Sequence, residues 1–454
     1  MKRCVVTGIG TISTIGHDTN SFWHACLNGK ANIAPVPEDW SRYWSIRSKL
    51  WSPLTPPDFR ALGFKSADLF QFDTGTLNAL VATEEALRNA SLNTAPNDDG
   101  KNQHILDAPS ERIGVFFGTG IGGASSLLEN HSTHTLAPLK KKINALLEQL
   151  PPSEQQAETR AWIERELSYL RIGRLNPLVL VRTMINAVAA AIAIRYSSTG
   201  PTNVSCVACA SGTVAIGRAF NSILSGECDI ALCGGTEYWE EETGAFFRSF
   251  DELRTLTTYE GDPAQANRPF DKQRAGFLFN QGGAATLVLE EYEHAMARKA
   301  PILAEIAGFS ESFDAHSLVS IAADGKEITR MLKALMEKAQ VTPSDIDYIN
   351  AHGTGTQIND ETESKVIESL FGSRPAINSS KSILGHSIGV SGAYEAAITA
   401  LSIQHQTLHA SLNIDDPIRD LNFVRSTCQH KVGVAISQSF AFGGHNAALL
   451  FKSV

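Results

Sequence analysis

The chain has 454 residues, is 43% hydrophobic and 19% charged, and carries a formal net charge of −9 without a long lysine or arginine block. That composition excludes global disorder, leaves material for one large core or two similar ones, and argues against nucleic acid or an anionic membrane as the main partner. No run approaches the roughly 20 apolar residues that a membrane helix needs, and the first residues lack a secretory signal, so a cytoplasmic protein without a membrane span is expected.

In chain order, Arg3-Cys4-Val5-Val6-Thr7-Gly8-Ile9-Gly10 reads as a strand with a glycine turn. The stretch Asp39 to Phe59, with Trp40, Tyr43, Trp44 and Trp51, is too irregular for a helical stripe. It reads as a loop packed by its own aromatics, with the rim of a substrate tunnel as the alternative. Helical periodicity over Asn78 to Ala90 precedes a strand-like run at Arg112 to Phe117, which enters the glycine loop Gly118-Thr119-Gly120. Between Leu136 and Arg174, Ile143, Leu146, Leu147 and Leu150 share one helical face. Pro151-Pro152 would end that helix, Ser153 with Gln156 would cap a second, and Ile163, Leu167 and Leu170 continue an apolar face. A helical hairpin is expected over 136–174, either packed on its own subunit or meeting a partner through Lys140, Lys141 and Lys142.

Next, the run Ser205-Cys206-Val207-Ala208-Cys209-Ala210-Ser211-Gly212 stops an apolar stretch at a thiol and opens a helix over Thr213 to Leu224. A helix N-terminus aimed at Cys209 would favour thiolate, and small residues would admit a carbonyl. Cys206 reads as a packing thiol of the preceding strand. Seven scattered cysteines form no disulfide framework, and the C-x-x-C pair lacks a second close pair of ligands, with Cys228 and Cys233 pointing differently in a strand-like run, so no metal is expected. Strands at Asp229 to Cys233 and Ala285 to Leu289 and a helix at Lys326 to Lys338 continue an α/β alternation. Two histidines then sit among glycines, in Asn350-Ala351-His352-Gly353-Thr354-Gly355-Thr356 and Lys381-Ser382-Ile383-Leu384-Gly385-His386. The loop Ser439-Phe440-Ala441-Phe442-Gly443-Gly444-His445-Asn446 precedes a last strand that runs to Phe451. Each half has a strand entering a glycine loop and, later, a small-residue helix, which points to duplication. The join is placed between Glu293 and Pro301, giving halves 1–295 and 296–454.

These motifs, with Arg268-Pro269-Phe270-Asp271, span nearly the whole chain, which resembles the β-ketoacyl-acyl-carrier-protein synthases of the elongating type, condensing enzymes of the thiolase superfamily. The resemblance implies a five-layered α/β/α/β/α sandwich whose buried central helices present the thiol and one histidine. It implies an acyltransferase that holds an acyl group on Cys209 and condenses it with malonyl-acyl-carrier protein, losing carbon dioxide, in fatty-acid, polyketide or aryl-polyene synthesis. His352 and His386 would bind the malonyl carbonyl, with Nε2 as donor, while Lys381 and Glu363 would support them by hydrogen bonding and charge. Phe442, with Gly443 and Gly444, would form the gate, and the Phe442 amide would join that of Cys209 in an oxyanion hole. Ile121, Val179 and Phe250 would wall the acyl pocket, and Thr354 and Thr356 would touch the phosphopantetheine arm. That arm would arrive on the carrier, so no cofactor is expected. The mate would be a second copy or a chain-length-factor-like subunit.

The chain departs from the family at Asn280-Gln281-Gly282-Gly283, where an acidic residue is usual, and at His445, where threonine is usual. Loss of the acidic residue is expected to alter support around the closing loop. Ala67 to Asp73 lacks the usual basic residues that face the carrier, leaving Lys65 and Arg254. The alternatives are a non-catalytic chain-length partner, against which Cys209, His352, His386 and Lys381 together speak, and a degradative thiolase, whose second cysteine the closing loop lacks. Cys428 lies outside that loop.

Overall fold

The runs of β-branched and aliphatic residues form the strands of one ten-stranded sheet. The strands are β1 (Cys4–Ile12), β2 (Ile113–Gly118), β3 (Thr202–Ser205), β4 (Ile230–Tyr238) and β5 (Gly282–Glu291), followed by β6 (Ala304–Phe313), β7 (Tyr348–Asn350), β8 (Ala376–Asn378), β9 (Val434–Phe440) and β10 (His445–Lys452). The computed structural model describes residues 2–454 except 43, 99, 101, 150–153, 171, 241 and 242.

The two halves repeat one strand order, 3-2-4-5-1 in the first and 8-7-9-10-6 in the second. In each, the two outer pairings are parallel and the two inner ones antiparallel. They meet along a short antiparallel seam that matches Cys4 with Ile306 and Val6 with Ala304. Parallel pairs need crossover helices, and these supply the remaining layers. Helices α1 (Thr74–Asn89) and α4 (Ala187–Arg195) cover one outer face, and α6 (Lys326–Lys338) and α7 (Gln357–Phe371) cover the other.

Between the halves lie α5 (Ser211–Ser225) and α8 (Ser391–His405), almost wholly buried. Their small residues have a steric cause: a Cβ on Gly212 would stand 2.7 Å from the Ala393 nitrogen. The result is the five-layered α/β/α/β/α thiolase architecture, with the N-terminal ends of α5 and α8 meeting in the middle.

The hairpin is present as α2 (Ala124–Gln149) and α3 (Glu154–Ser168). Its first helix begins at Ala124 rather than near 136 and passes through Pro138 without ending. Ile143 and Leu147 turn inward as the periodicity requires, but Leu146 is exposed. Leu150, Pro151, Pro152, Ser153 and the Gln156 side chain lie outside the described residues. On α3 and just beyond it, Leu167 is buried and Ile163 and Leu170 half-buried. Arg42 stacks over the Tyr169 ring at 3.6 Å, tying the hairpin to the aromatic segment. In that segment Trp40 packs on Trp51 and Phe247, as a loop closed by its own aromatics would. Trp44 lies at the surface under Arg248, and Tyr43 is outside the described residues.

Two expectations about cysteines need correction. Cys206 lies beyond the end of β3 and is exposed, its Sγ donating to the Gly120 carbonyl at 3.1 Å, so it is not a packing thiol. Cys228 precedes β4 rather than sharing a strand with Cys233. Among the described residues no group of His, Cys, Asp or Glu has a metal-holding arrangement, and no helix is long and apolar enough to cross a membrane.

Candidate active site

Cys209 occupies a 3₁₀ turn, Ala208–Ala210, leading into α5. Ala208 has φ +49°, a left-handed conformation that costs a non-glycine residue free energy and turns the next side chain out of the strand line. The turn places Cys209 Sγ at the floor of a cavity of about 500 Å³ that also receives His352, His386, Thr354, Thr356 and Phe442.

His386 Nε2 is 3.0 Å from Cys209 Sγ, and its Nδ1 is 3.0 Å from Ser391 Oγ, the first residue of α8. The two imidazoles meet edge to face, with centroids 5.5 Å apart. On the far side of His352, Lys381 Nζ lies 3.2 Å from Nδ1 and donates to the His352 carbonyl at 2.8 Å. An ammonium can only donate, so this contact makes Nδ1 the acceptor and leaves the proton of neutral His352 on Nε2. Lys381 is in turn paired with Glu395 of α8. Burial, and then the Lys381 charge, hold both histidines well below the usual imidazole range, so both are neutral donors or acceptors at physiological pH.

The thiol behaves against expectation. Burial pushes Cys209 up to about 12, opposed by the Lys381 charge and by the backbone N–H groups of Phe442 and Cys209 that face the sulfur. Desolvation therefore outweighs the helix N-terminus, and the resting group is a thiol whose proton has His386 Nε2 as its neighbour.

Glu363 is buried on α7 and accepts from the backbone N–H of His352 and of Gly353, each at 2.7 Å, and from the Gln438 amide at 2.7 Å. It holds the loop rather than the imidazole. Burial raises it to about 7 despite these bonds. Asp360, one helical turn earlier, accepts from Phe270, Thr354 and Gly355 N–H. The Thr354 and Thr356 hydroxyls lie 2.8 Å apart at the cavity wall.

The loop expected to form the gate follows β9. Gly443 has φ +84° and Gly444 +86°, conformations that favour glycine. The Gly443 N–H donates to the Leu318 carbonyl at 2.8 Å and the Asp314 N–H to the Gly444 carbonyl at 2.8 Å, so the loop after Phe313 is hinged to the gate. His445 packs its ring on Phe313 at 4.9 Å. The Asn280 carboxamide meets Gly282 N–H at 2.7 Å and the Leu384 carbonyl at 2.6 Å, which supports the His386 loop rather than the closing loop as expected.

Three expected wall residues are not brought into this cavity. Ile121 is 40% exposed in the single chain, Val179 begins a short surface helix, Val179–Thr183, and Phe250 stands behind Phe277, their rings 5.8 Å apart. Phe277 and Ile388 line the cavity instead. Lys65 and Arg254 are both exposed, and Arg254 lies at the mouth. Sequence reasoning missed Glu395, Ser391 and Asp360. The signal for Glu395 was present: it is the one charged residue in the small and apolar run Ile388 to Leu401.

The family described as Beta-ketoacyl synthase, N-terminal domain, matches residues 1–295, and its C-terminal domain matches residues 303–415. The 3-oxoacyl-[acyl-carrier-protein] synthase 2 of Synechocystis sp. is 32% identical over 99% of this chain and 98% of its own length. The enzyme of the same name from Vibrio harveyi is 32% identical over 100% and 99%. A type II polyketide synthase acyl-carrier protein in complex with its ketosynthase bound to the hexaketide superposes with TM-score 0.79 at 26% identity, covering 100% of this chain and 99% of that one. The ishigamide ketosynthase/chain length factor gives 0.77 at 27%, with 100% and 99% covered. With both halves matched and the thiol and two histidines gathered in one cavity, the chain belongs to the β-ketoacyl synthase family.

Proposed function

We propose that the protein is a 3-oxoacyl-[acyl-carrier-protein] synthase, an acyltransferase that extends a fatty-acid, polyene or polyketide chain by decarboxylative Claisen condensation. The observation that carries this reading is the convergence of Cys209, His352 and His386 on one cavity, with Phe442 and Cys209 N–H groups aimed at the sulfur. In loading, the Cys209 thiol gives its proton to His386 Nε2 as sulfur attacks the incoming thioester carbonyl, and the expelled carrier sulfur takes that proton back from His386 and leaves as a thiol. In condensation, His352 Nε2–H donates to the malonyl thioester oxygen, joined by His386 in the tautomer whose Nδ1 accepts from the Ser391 hydroxyl and whose Nε2 carries the proton, so that loss of carbon dioxide leaves an enolate they stabilise. The enolate carbon attacks the acyl carbonyl, whose oxyanion is met by the two backbone N–H groups, and the Cys209 sulfur leaves as thiolate and takes up one proton from solvent to restore the thiol. The phosphopantetheine arm is carried by the substrate, beside Thr354 and Thr356, so no cofactor resides in the protein.

The halves 1–295 and 296–454 are read as duplicated domains, the carrier protein as the donor partner, and the cytoplasm as the compartment. We read the protein mate as covering the exposed Leu180, Val181, Met184 and Ile185 of the segment that carries Val179. It is a second copy or a chain-length-factor-like subunit, and it would complete the wall that Ile121 and Val179 begin. The test is incubation with acyl carrier proteins bearing acetyl, saturated and polyenoyl groups, followed by the mass of the Cys209 peptide. An acyl adduct there, and 3-oxoacyl product once malonyl carrier is added, supports the reading. A folded protein that forms no adduct with any donor overturns it and favours a non-catalytic partner subunit.

A further inference from the structure

We propose that the Ser391 hydroxyl is a two-way switch for His386, which lets the ring carry its proton on Nδ1 while Cys209 is a thiol and on Nε2 once Cys209 is acylated. The inference rests on the ketosynthase reading of the site, and it gives one imidazole two roles.

The two imidazoles of the cavity differ in the group behind them. Lys381 Nζ, 3.2 Å from His352 Nδ1, can only donate, which locks the His352 proton on Nε2. Ser391 Oγ, 3.0 Å from His386 Nδ1, can donate or accept. It also accepts from the Ser387 N–H at 3.1 Å and lies 3.0 Å from Ser387 Oγ. One lone pair is thus taken by the backbone, and one hydrogen and one lone pair are left for Nδ1 and Ser387 Oγ. When the hydroxyl donates to one of these it accepts from the other, so turning a single hydrogen reverses the pattern. Ser387 and Ser391 are both buried, which keeps bulk water from replacing these bonds.

The chemistry at Nε2 selects the pattern. Cys209 Sγ stands 3.0 Å from that nitrogen. A thiol there donates its proton to a bare Nε2, and Nδ1–H then donates to Ser391. This is the form that takes up the thiol proton in loading, and the Ser391 lone pair holds the Nδ1–H of the imidazolium that results. A thioester at Cys209 has no proton to give. Nε2 then carries the hydrogen that it donates to the malonyl oxygen, and Ser391 donates to Nδ1 instead. The exchange leaves the ring neutral, since one proton reaches Nε2 from solvent and one leaves Nδ1 to solvent. A backbone N–H or carbonyl behind Nδ1 would support only one of these forms, whereas a hydroxyl supports both. Ser391 does not line the cavity, so it acts through His386 as a positioning residue.

The test is ¹⁵N NMR of the full-length protein labelled at histidine, at neutral pH, in the wild type and in Cys209→Ala, with the two rings assigned by the signals lost in His352→Asn and His386→Asn. Cys209→Ala removes the thiol proton without any acyl substrate. His386 is expected to carry its proton on Nδ1 in the wild type and on Nε2 in Cys209→Ala, while His352 stays protonated on Nε2 in both. A His386 ring protonated on the same nitrogen in both proteins overturns the switch. Kinetics supply the second arm: Ser391→Ala should slow acyl loading and malonyl decarboxylation roughly tenfold each, with KM for either carrier changed by less than about twofold. A Ser391→Ala enzyme in which only one of the two steps slows, or neither does, overturns the two-way role. A tautomer change in a protein that loads no acyl group keeps the switch and overturns the ketosynthase reading instead.

Discussion

His386 Nε2 stands 3.0 Å from a Cys209 sulfur that burial holds as a thiol, so in the proposed reaction the nucleophile and its proton acceptor are already in contact before substrate arrives. A thiol pushed up to about 12 is thiolate in only about one part in ten thousand at pH 8. Base assistance is therefore expected in the proposed loading step. His386→Ala is expected to slow acyl transfer to Cys209 by roughly 10²–10⁴. Without the base, the rate should rise about tenfold per pH unit between 7 and 10 as thiolate accumulates, whereas the wild-type rate is flatter. Rapid-quench acylation against pH measures both, and a variant that loads at the wild-type rate would sink this role for His386.

Lys381 fixes the His352 tautomer and depresses both imidazoles, and Glu395 fixes Lys381. Burial, the larger cause of the depression, stays when the Lys381 charge is removed, so both histidines rise without regaining their ordinary range. Lys381→Met should therefore move the acid limb of the pH profile of malonyl decarboxylation to higher pH than in wild type. Glu395→Ala leaves a buried ammonium unpaired and is expected to cost about 3–5 kcal/mol of stability in denaturant unfolding. A Lys381→Met profile that parallels wild type would show that the lysine only holds the fold.

Glu237 ends the run Gly234-Gly235-Thr236-Glu237 of β4, and its carboxyl accepts from Gly120 N–H at 2.6 Å and from Gly389 N–H, tying the loop before Ile121 to the turn after His386. Burial raises it to about 8. A raised carboxyl contributes stability that is complete below its unfolded value of about 4.3 and is lost as pH climbs through the folded value. Between about pH 5 and 8 the wild type should thus lose stability relative to Glu237→Gln, which keeps the neutral acceptor and cannot ionise. The expected difference by pH 8.5 is on the order of a few kcal/mol. Parallel unfolding midpoints across that range would refute the buried neutral carboxyl.

The fold and the centre of the site were legible because they depend on local order. Cys209 follows a strand and opens a helix, His352 and His386 sit among glycines, and the strand runs alternate with helices at the spacing a crossover fold needs. What was not legible depends on packing between segments far apart in sequence. The thiol was expected to ionise, because a helix N-terminus shows in spacing while full burial does not. Glu395 was hidden in a small-residue helix, and only the meeting of α8 with Lys381 reveals its use. Ile121 and Val179 were assigned to a wall that a single chain leaves exposed or half-built. Asn280 was linked to the closing loop because the family usually has an acidic residue in this turn, whereas its bonds run to Leu384 and Gly282.

Gly443 separates the backbone requirement of the gate from its packing. A Cβ there would meet only His445 Cδ2, at 3.6 Å, so alanine fits sterically, but φ +84° is one that L side chains rarely adopt. Gly443→Ala should therefore leave global stability within about 1–2 kcal/mol of wild type. Its strain is relieved if the loop leaves the present conformation, in which Phe442 N–H faces Cys209 Sγ. Loss of that donor acts on the oxyanion rather than on substrate binding, so kcat should fall about tenfold to a thousandfold with KM for the malonyl carrier little changed. Phe442→Ala keeps the same N–H and should spare kcat far more than Gly443→Ala does. Steady-state kinetics of the two variants decide the matter. If Phe442→Ala loses kcat and Gly443→Ala does not, the gate works through the ring and not through the backbone donor.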